Sequence, residues 1–97
     1  VSTHETVHLV AQATGVPVEA MVARDRTRIA ARRVAILLMR EAGMLWKEIG
    51  FEFDEPADWA HTNAKRAHEA IAAGDRVVCG FLRNALEAAQ REELESQ

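Results

Sequence analysis

The chain has 97 residues, 48% of them hydrophobic, with 12 lysines and arginines against 15 aspartates and glutamates for a net charge of −3. That suffices for one domain with a single modest core, and the charged content excludes a disordered tail. No apolar run approaches the length of a membrane span, and no basic start, apolar stretch and cleavage site marks a secretory signal.

In chain order, Ser2-Thr3-His4-Glu5 has capping-box spacing at the head of a first helix, with Val7, Val10 and Ala11 as its apolar stripe and Gly15 as its end. Val16 to Val22 fits a short second helix with Pro17 near its first turn. Ala23–Thr27 is a basic connector. Arg28 to Ala42 reads as a strong helix, apolar almost all round from Val34 to Met39 and so expected in mid-core. Gly43 stops it, and Leu45 to Gly50 gives a short helix followed by a tight Phe51–Asp54 connection. Pro56 then suits the first turn of a longer helix, with Asp54 or Glu55 as its cap.

On that helix, Ala57, Ala60, Ala64, Ala67 and Ile71 fall on one side at 3.6-residue spacing and are expected against the core. Asp58, Thr62, Lys65, Arg66 and Glu69 fall opposite, with Trp59 at the edge and His61 and His68 flanking the buried stripe. Gly74 closes the helix, and Asp75 caps a last one reaching about Glu95, with Val77, Val78, Phe81, Leu82 and Leu86 inward. The expected fold is all-α, about six helices and no strands. It includes a helix-turn-helix at about residues 44–73, whose second helix suits a DNA major groove while the first crosses the phosphate backbone.

The acidic net charge argues against a nucleic-acid binder, but its distribution argues for one. Residues 23–47 hold seven basic side chains against two acids, a local +5, whereas the remainder holds five basic and thirteen acidic residues, −8. A segregated basic patch is what phosphates sense, even on an acidic domain; the alternative is an ordinary solvated helix face. Arg32 and Arg33 lie in a helix's first turns, where the dipole does not favour cations, so a phosphate would account for them. Lys47 leads the first helix of the motif and is a further phosphate candidate.

Along the motif's second helix, Thr62 suits a base edge or thymine methyl, and Lys65 and Arg66 suit guanine or phosphate. Asn63 has the chemistry to read adenine but points to one side of the exposed face. Trp59 suits base methyls, a dimer contact or a fold back onto the core, and Trp46 reads as core. Asp54, Glu55 and Asp58 favour the helix dipole but repel phosphate, which keeps open a protein-interaction module as the alternative function.

These segments resemble the C-terminal DNA-binding domain of the bacterial replication initiator DnaA, a Trp-repressor-like helical class, from about Thr3 to Leu86. Gly15-Val16-Pro17-Val18-Glu19 is similar to the family's G-V-S-V-E-D-L segment, Arg24 to Arg28 falls at its basic loop, and Arg32 matches an arginine of the following helix. Arg40-Glu41 matches its R-E/K-E pair, and Lys47-Glu48-Ile49-Gly50 matches P-E-I-G with Phe53 three residues on. Ala64 and Arg66 fit A-C-R-K, and Asp75 stands at the start of the final helix.

The family's DNA-box signature, G-G-R-D-H-T-T, aligns without gaps to Asp54-Glu55-Pro56-Ala57-Asp58-Trp59-Ala60 and is not retained. Placing His61-Thr62 on its H-T requires an insertion. The resemblance therefore implies the scaffold and DNA contacts by Arg24, Arg26, Arg28 and Arg32, with Arg24 and Arg26 at a minor groove or phosphate; Arg33 joins them on the dipole argument alone. It does not imply recognition of the initiator's own box.

The other residue types point to no chemistry. His4 and His8 have a zinc-compatible spacing but no third or fourth ligand nearby, so no metal site is expected. Cys79 is the single cysteine, which excludes an intramolecular disulfide and reads as a small buried apolar residue. No GxxxxGK loop or nucleophile–base arrangement stands out, so neither a cofactor nor an enzyme is expected. The expected protein is a cytoplasmic, nucleoid-associated, monomeric or weakly dimeric domain that binds double-stranded DNA. It would target a bacterial or phage-derived regulator of transcription or replication and meet that machinery through other regions. The start at Val1, without methionine, reads as a piece excised from a longer protein.

Overall fold

The computed structural model describes residues 3–95, with side chains from Glu5 onward. The expected cap at Ser2 lies outside the described residues, and the His4 half of the histidine pair lies outside the described side chains. Five α-helices follow in order: α1 (Thr3–Thr14), α2 (Arg26–Glu41), α3 (Trp46–Glu52), α4 (Ala57–Ala72) and α5 (Arg76–Glu95). No strand occurs among the described residues. The expected second helix is only a 3₁₀ turn, Val18–Ala20. Pro17 sits before it in extended geometry, and the buried Val16 uses its N–H on the Thr14 hydroxyl, leaving too few residues for an α-helical nucleus.

The centre of the molecule is α2, which packs against all four other helices. Val34, Ala35, Ile36 and Met39 on this helix are fully buried, as the apolar run requires. Its start lies two residues earlier than expected because Asp25 caps it, the carboxylate accepting from the Arg28 N–H at 3.1 Å. Val7 and Val10 of α1, Met21, Ile49 of α3, Ala60 and Ala67 of α4, and Val78 and Ala85 of α5 complete one core. The radius of gyration, 12.4 Å, is that of one compact unit, about 13 Å for 100 residues.

Leu86 is a correction: it is 47% exposed, and Leu94 is 70% exposed. The inward stripe of α5 ends at Ala85, beyond which every apolar residue is at best half-buried.

Helices α3 and α4 pack closely, joined by a four-residue turn, 53–56. The turn opens when Asp54 adopts φ of 56° and the Glu55 N–H returns to the Gly50 carbonyl at 2.9 Å, a left-handed helix end usually made by glycine. Asp54 is thereby committed to ending α3. Pro56, expected inside the first turn of α4, instead occupies its cap position with no side-chain cap bond. Gly50 is buried, and a Cβ there would lie 2.5 Å from the Glu55 carbonyl oxygen, so the two helices meet at a distance only glycine permits.

Candidate nucleic-acid interface

Three arginines from the 21–25 loop and the start of α2 converge on one shallow depression of about 320 Å³. Arg24, Arg26 and Arg33 line it together with Ile29, Ala30 and, from the start of α5, Asp75, Val77 and Val78. Asp75 directs its carboxylate to the Val77 and Val78 N–H groups at 3.0 and 3.1 Å, capping α5 as expected. Arg24 and Arg26 are exposed, while the Arg33 Nε is buried without a hydrogen-bond partner. Arg28 is exposed beside them but bound to Asp25 at 2.7 Å, so this acid partly neutralises it. The pair is solvated and adds little to stability.

Next to this cluster, Arg32 is half-buried and tied down at three points. Its Nε donates to the Asn63 amide oxygen at 3.0 Å, its Nη1 donates to the Met21 carbonyl at 3.2 Å, and its guanidinium lies 5.4 Å from the Trp59 ring centroid. Burial lowers its pKa from the ordinary arginine value, the charges of Arg33 and Arg66 lower it further, and Glu55 opposes them. Arg32 thus joins the basic loop to α4 and brings Arg33 and Arg66 into one field of positive charge.

The outward face of α4 carries Asp58, Thr62, Lys65, Arg66 and Glu69, all exposed as the helical period requires. Two other expected contacts on this helix are not on its exposed face. Asn63 is 4% exposed, its oxygen held by Arg32 and its nitrogen donating to the Trp59 carbonyl at 2.9 Å. Trp59 is half-buried, its ring 5.4 Å from that of Phe53 and covered by Arg32. Both residues shape the surface from beneath.

The chain matches no known protein family, no curated protein and no solved structure. Lys65 borders a second depression, about 460 Å³, on the flank of α4 facing α2 and α3. There Arg40 stacks 4.4 Å above the Trp46 ring centroid and His61 meets that ring edge-on at 5.1 Å. Trp46 is half-buried at this surface where a core position was expected, and His61 and His68 are exposed along the groove. The stack has a faint trace in sequence, Arg40 and Trp46 flanking the Gly43 break, but nothing that orients the two side chains.

Lys47 stands apart from the arginines, in a depression on the outer face of α3 with Leu45, Glu48, Phe51 and Glu52. Of the expected contacts, the fold therefore gathers Arg24, Arg26, Arg33, Arg32 and Arg66, sets Thr62 and Lys65 on the outward face of α4, and leaves Lys47 on a separate surface. Cys79 is half-buried, and no cluster of three metal-ligating side chains occurs among the described residues.

Proposed function

We propose that this chain binds double-stranded DNA, with α3 and α4 acting as a helix-turn-helix and α4 entering the major groove. The observation that carries this reading is the gathering of Arg24, Arg26 and Arg33 at one depression, with Arg32 in the field of Arg33 and Arg66. Like charges held together cost free energy, and Arg32 is also partly desolvated. A polyanion along this edge of α4 offsets both costs, as a phosphate backbone does. The nearest acids offset the cluster only in part: Asp25 is bound to Arg28, Asp75 is turned to the α5 N-terminus at the edge of the depression, and Glu55 acts on Arg32 against the charges of Arg33 and Arg66.

In this reading Arg24, Arg26 and Arg33 hold phosphates or a narrow minor groove, Thr62 and Arg66 read base edges, and Lys65 contacts the opposite strand. Arg32, Asn63 and Trp59 position the loop against α4. The sequence segments that resemble the DnaA C-terminal domain, the basic loop among them, support the same assignment. With the box signature replaced by Asp54–Ala60, a targeting module of a transcription or replication regulator with its own site suits the chain better than the initiator itself.

Mobility shift of a random duplex tests this directly. Retardation is expected at low salt and should fade as salt rises, since binding releases condensed counterions. No retardation at low salt would remove the proposal and favour a scaffold that meets only proteins.

A further inference from the structure

The two flanks of α4 differ in what they carry. Counted from Thr62 on the outward face, Arg66 lies roughly 40° round towards Asn63 and its Arg32 partner. Lys65, His61 and His68 lie roughly 60–120° round the other way. That second flank forms one wall of the depression of about 460 Å³, where Arg40 and Glu41 of α2 and Trp46 of α3 form the rest of the rim. Trp46 fixes two of its neighbours, the Arg40 guanidinium 4.4 Å over its ring and the His61 ring edge-on at 5.1 Å. Arg40 also donates through Nη1 to the Met44 carbonyl at 2.9 Å and keeps its other donors for a ligand.

A helix about 10–12 Å across fills a major groove about 12 Å wide, so a phosphate backbone runs along each of its flanks. The arginine cluster meets one of them, and the other passes the depression beside Trp46. The charge it meets there is set by two imidazoles. Arg40 and Lys65 are matched by Glu41 and Glu69, and His61 and His68 are the remaining titratable groups lining the depression. With both imidazoles neutral, the two cations and two acids cancel and phosphate gains little. With both protonated, the net charge is +2, and both rings are exposed to a passing strand.

We propose, resting on the DNA reading above, that this depression is a second phosphate-binding edge. There protonated His61 and His68 join Arg40 and Lys65 in holding the strand opposite the one held by Arg24, Arg26 and Arg33. A phosphate beside an imidazole favours its charged form, so binding takes up protons and affinity falls as pH rises. The arginine edge keeps its charge throughout. Proton uptake therefore belongs to one edge of the interface, and DNA affinity is tuned by pH through that edge alone.

Anisotropy titrations of the chain on a random duplex at about pH 6 and about pH 8, both above the carboxylate range, test it. Affinity should be about tenfold higher at the lower pH, and the slope of log affinity against log salt steeper by about 0.9 for each imidazole newly charged. His61→Gln with His68→Gln should bind at both pH values as weakly as the parent does at the higher. His61→Lys with His68→Lys, charged throughout, should bind at both as tightly as the parent does at the lower. Both positions are exposed, and circular dichroism should show unchanged helix in each variant. Parent binding of equal strength at both pH values would leave DNA binding standing and overturn the second edge. So would a pH dependence that survives in the glutamine variant, or a lysine variant that still weakens at the higher pH. Absence of parent binding at either pH would overturn both the edge and the DNA reading beneath it.

Discussion

Arg32 and Asn63 are joined across 31 residues of chain, the guanidinium Nε donating to the amide oxygen at 3.0 Å. The amide is fixed in turn by its nitrogen, which donates to the Trp59 carbonyl. The pair therefore links the centre of the fold, α2, to the helix proposed to read DNA. Asn63→Ala leaves a half-buried guanidinium short of an acceptor and should cost about 1–3 kcal/mol. Because Arg32→Ala removes the same hydrogen bond, the double variant should lose less than the sum of the two, by roughly 0.5–3 kcal/mol. Urea unfolding of the four proteins measures this, and additive losses would show that the hydrogen bond carries no energy.

That hydrogen bond also marks where the sequence stops being legible. Helix ends can be read locally: Gly43, Gly74 and Asp75 act within a turn of their own position, and the run from Val34 to Met39 can only be core. The inward placement of Ala60, Ala64 and Ala67 follows from period alone. Trp59 and Asn63 stay open because their partner, Arg32, comes from a distant segment, and a side chain at the edge of a stripe is assigned by what packs beside it. Pro56 and Leu86 depart from expectation for a different reason. Asp54 is needed to end α3, which shifts the cap of α4, and the length of α5 outruns the core available to cover it. At the site, the basic segment is visible as composition, but not that Arg28 is bound by Asp25 or that Lys47 sits on another face.

Reversing the loop charges should weaken binding to every sequence alike. With Arg24→Glu and Arg26→Glu, the slope of log affinity against log salt should flatten by about 0.9 for each phosphate no longer neutralised, near 2 in all. Anisotropy titrations on a random duplex at several salt concentrations give this slope. An unchanged slope would place the two arginines outside the interface.

The outward face of α4 should govern choice among sequences. Once bound duplexes have been selected from a random pool, Thr62→Ala and Arg66→Ala should each narrow the gap between selected and random DNA by about 1–3 kcal/mol. Arg33→Ala should lower both affinities together. Competition titrations separate the two patterns, and equal losses for all three variants would exclude base reading by Thr62 and Arg66.

Asp25 should make α2 sensitive to acid. The backbone N–H of Arg28 is the main cause holding its carboxyl below the ordinary value of 3.8; slight burial opposes this, and the Arg28 side chain adds to it. The folded pKa is thus below the unfolded one, so the contribution to stability is fully present above about pH 4 and is lost as pH falls through the folded value. Asp25→Ala should melt at a lower temperature than the parent at neutral pH, and the two should converge as the pH falls through the folded value of Asp25. Melting curves across that range test the sign; a difference that grows on acidification would contradict it.

Two glycines in helices should respond to alanine in opposite directions. Gly80, in α5, has nothing within 4 Å of a built Cβ, so Gly80→Ala should stabilise by about 0.5–1 kcal/mol through reduced freedom of the unfolded chain. Gly50 is also helical, and propensity alone would give it the same gain. Its Cβ, however, would meet the Glu55 carbonyl oxygen at 2.5 Å and the Pro56 carbonyl oxygen at 2.9 Å. These are backbone atoms of the turn that starts α4, and they cannot swing aside as a side chain would. Gly50→Ala should therefore destabilise by about 1–3 kcal/mol by prising α3 from the turn. It should also weaken DNA binding, because the start of α4 moves with that turn. Chemical denaturation and the same anisotropy titration decide both points, and a Gly50→Ala protein as stable as the parent would mean that the α3–α4 approach is looser than these distances require.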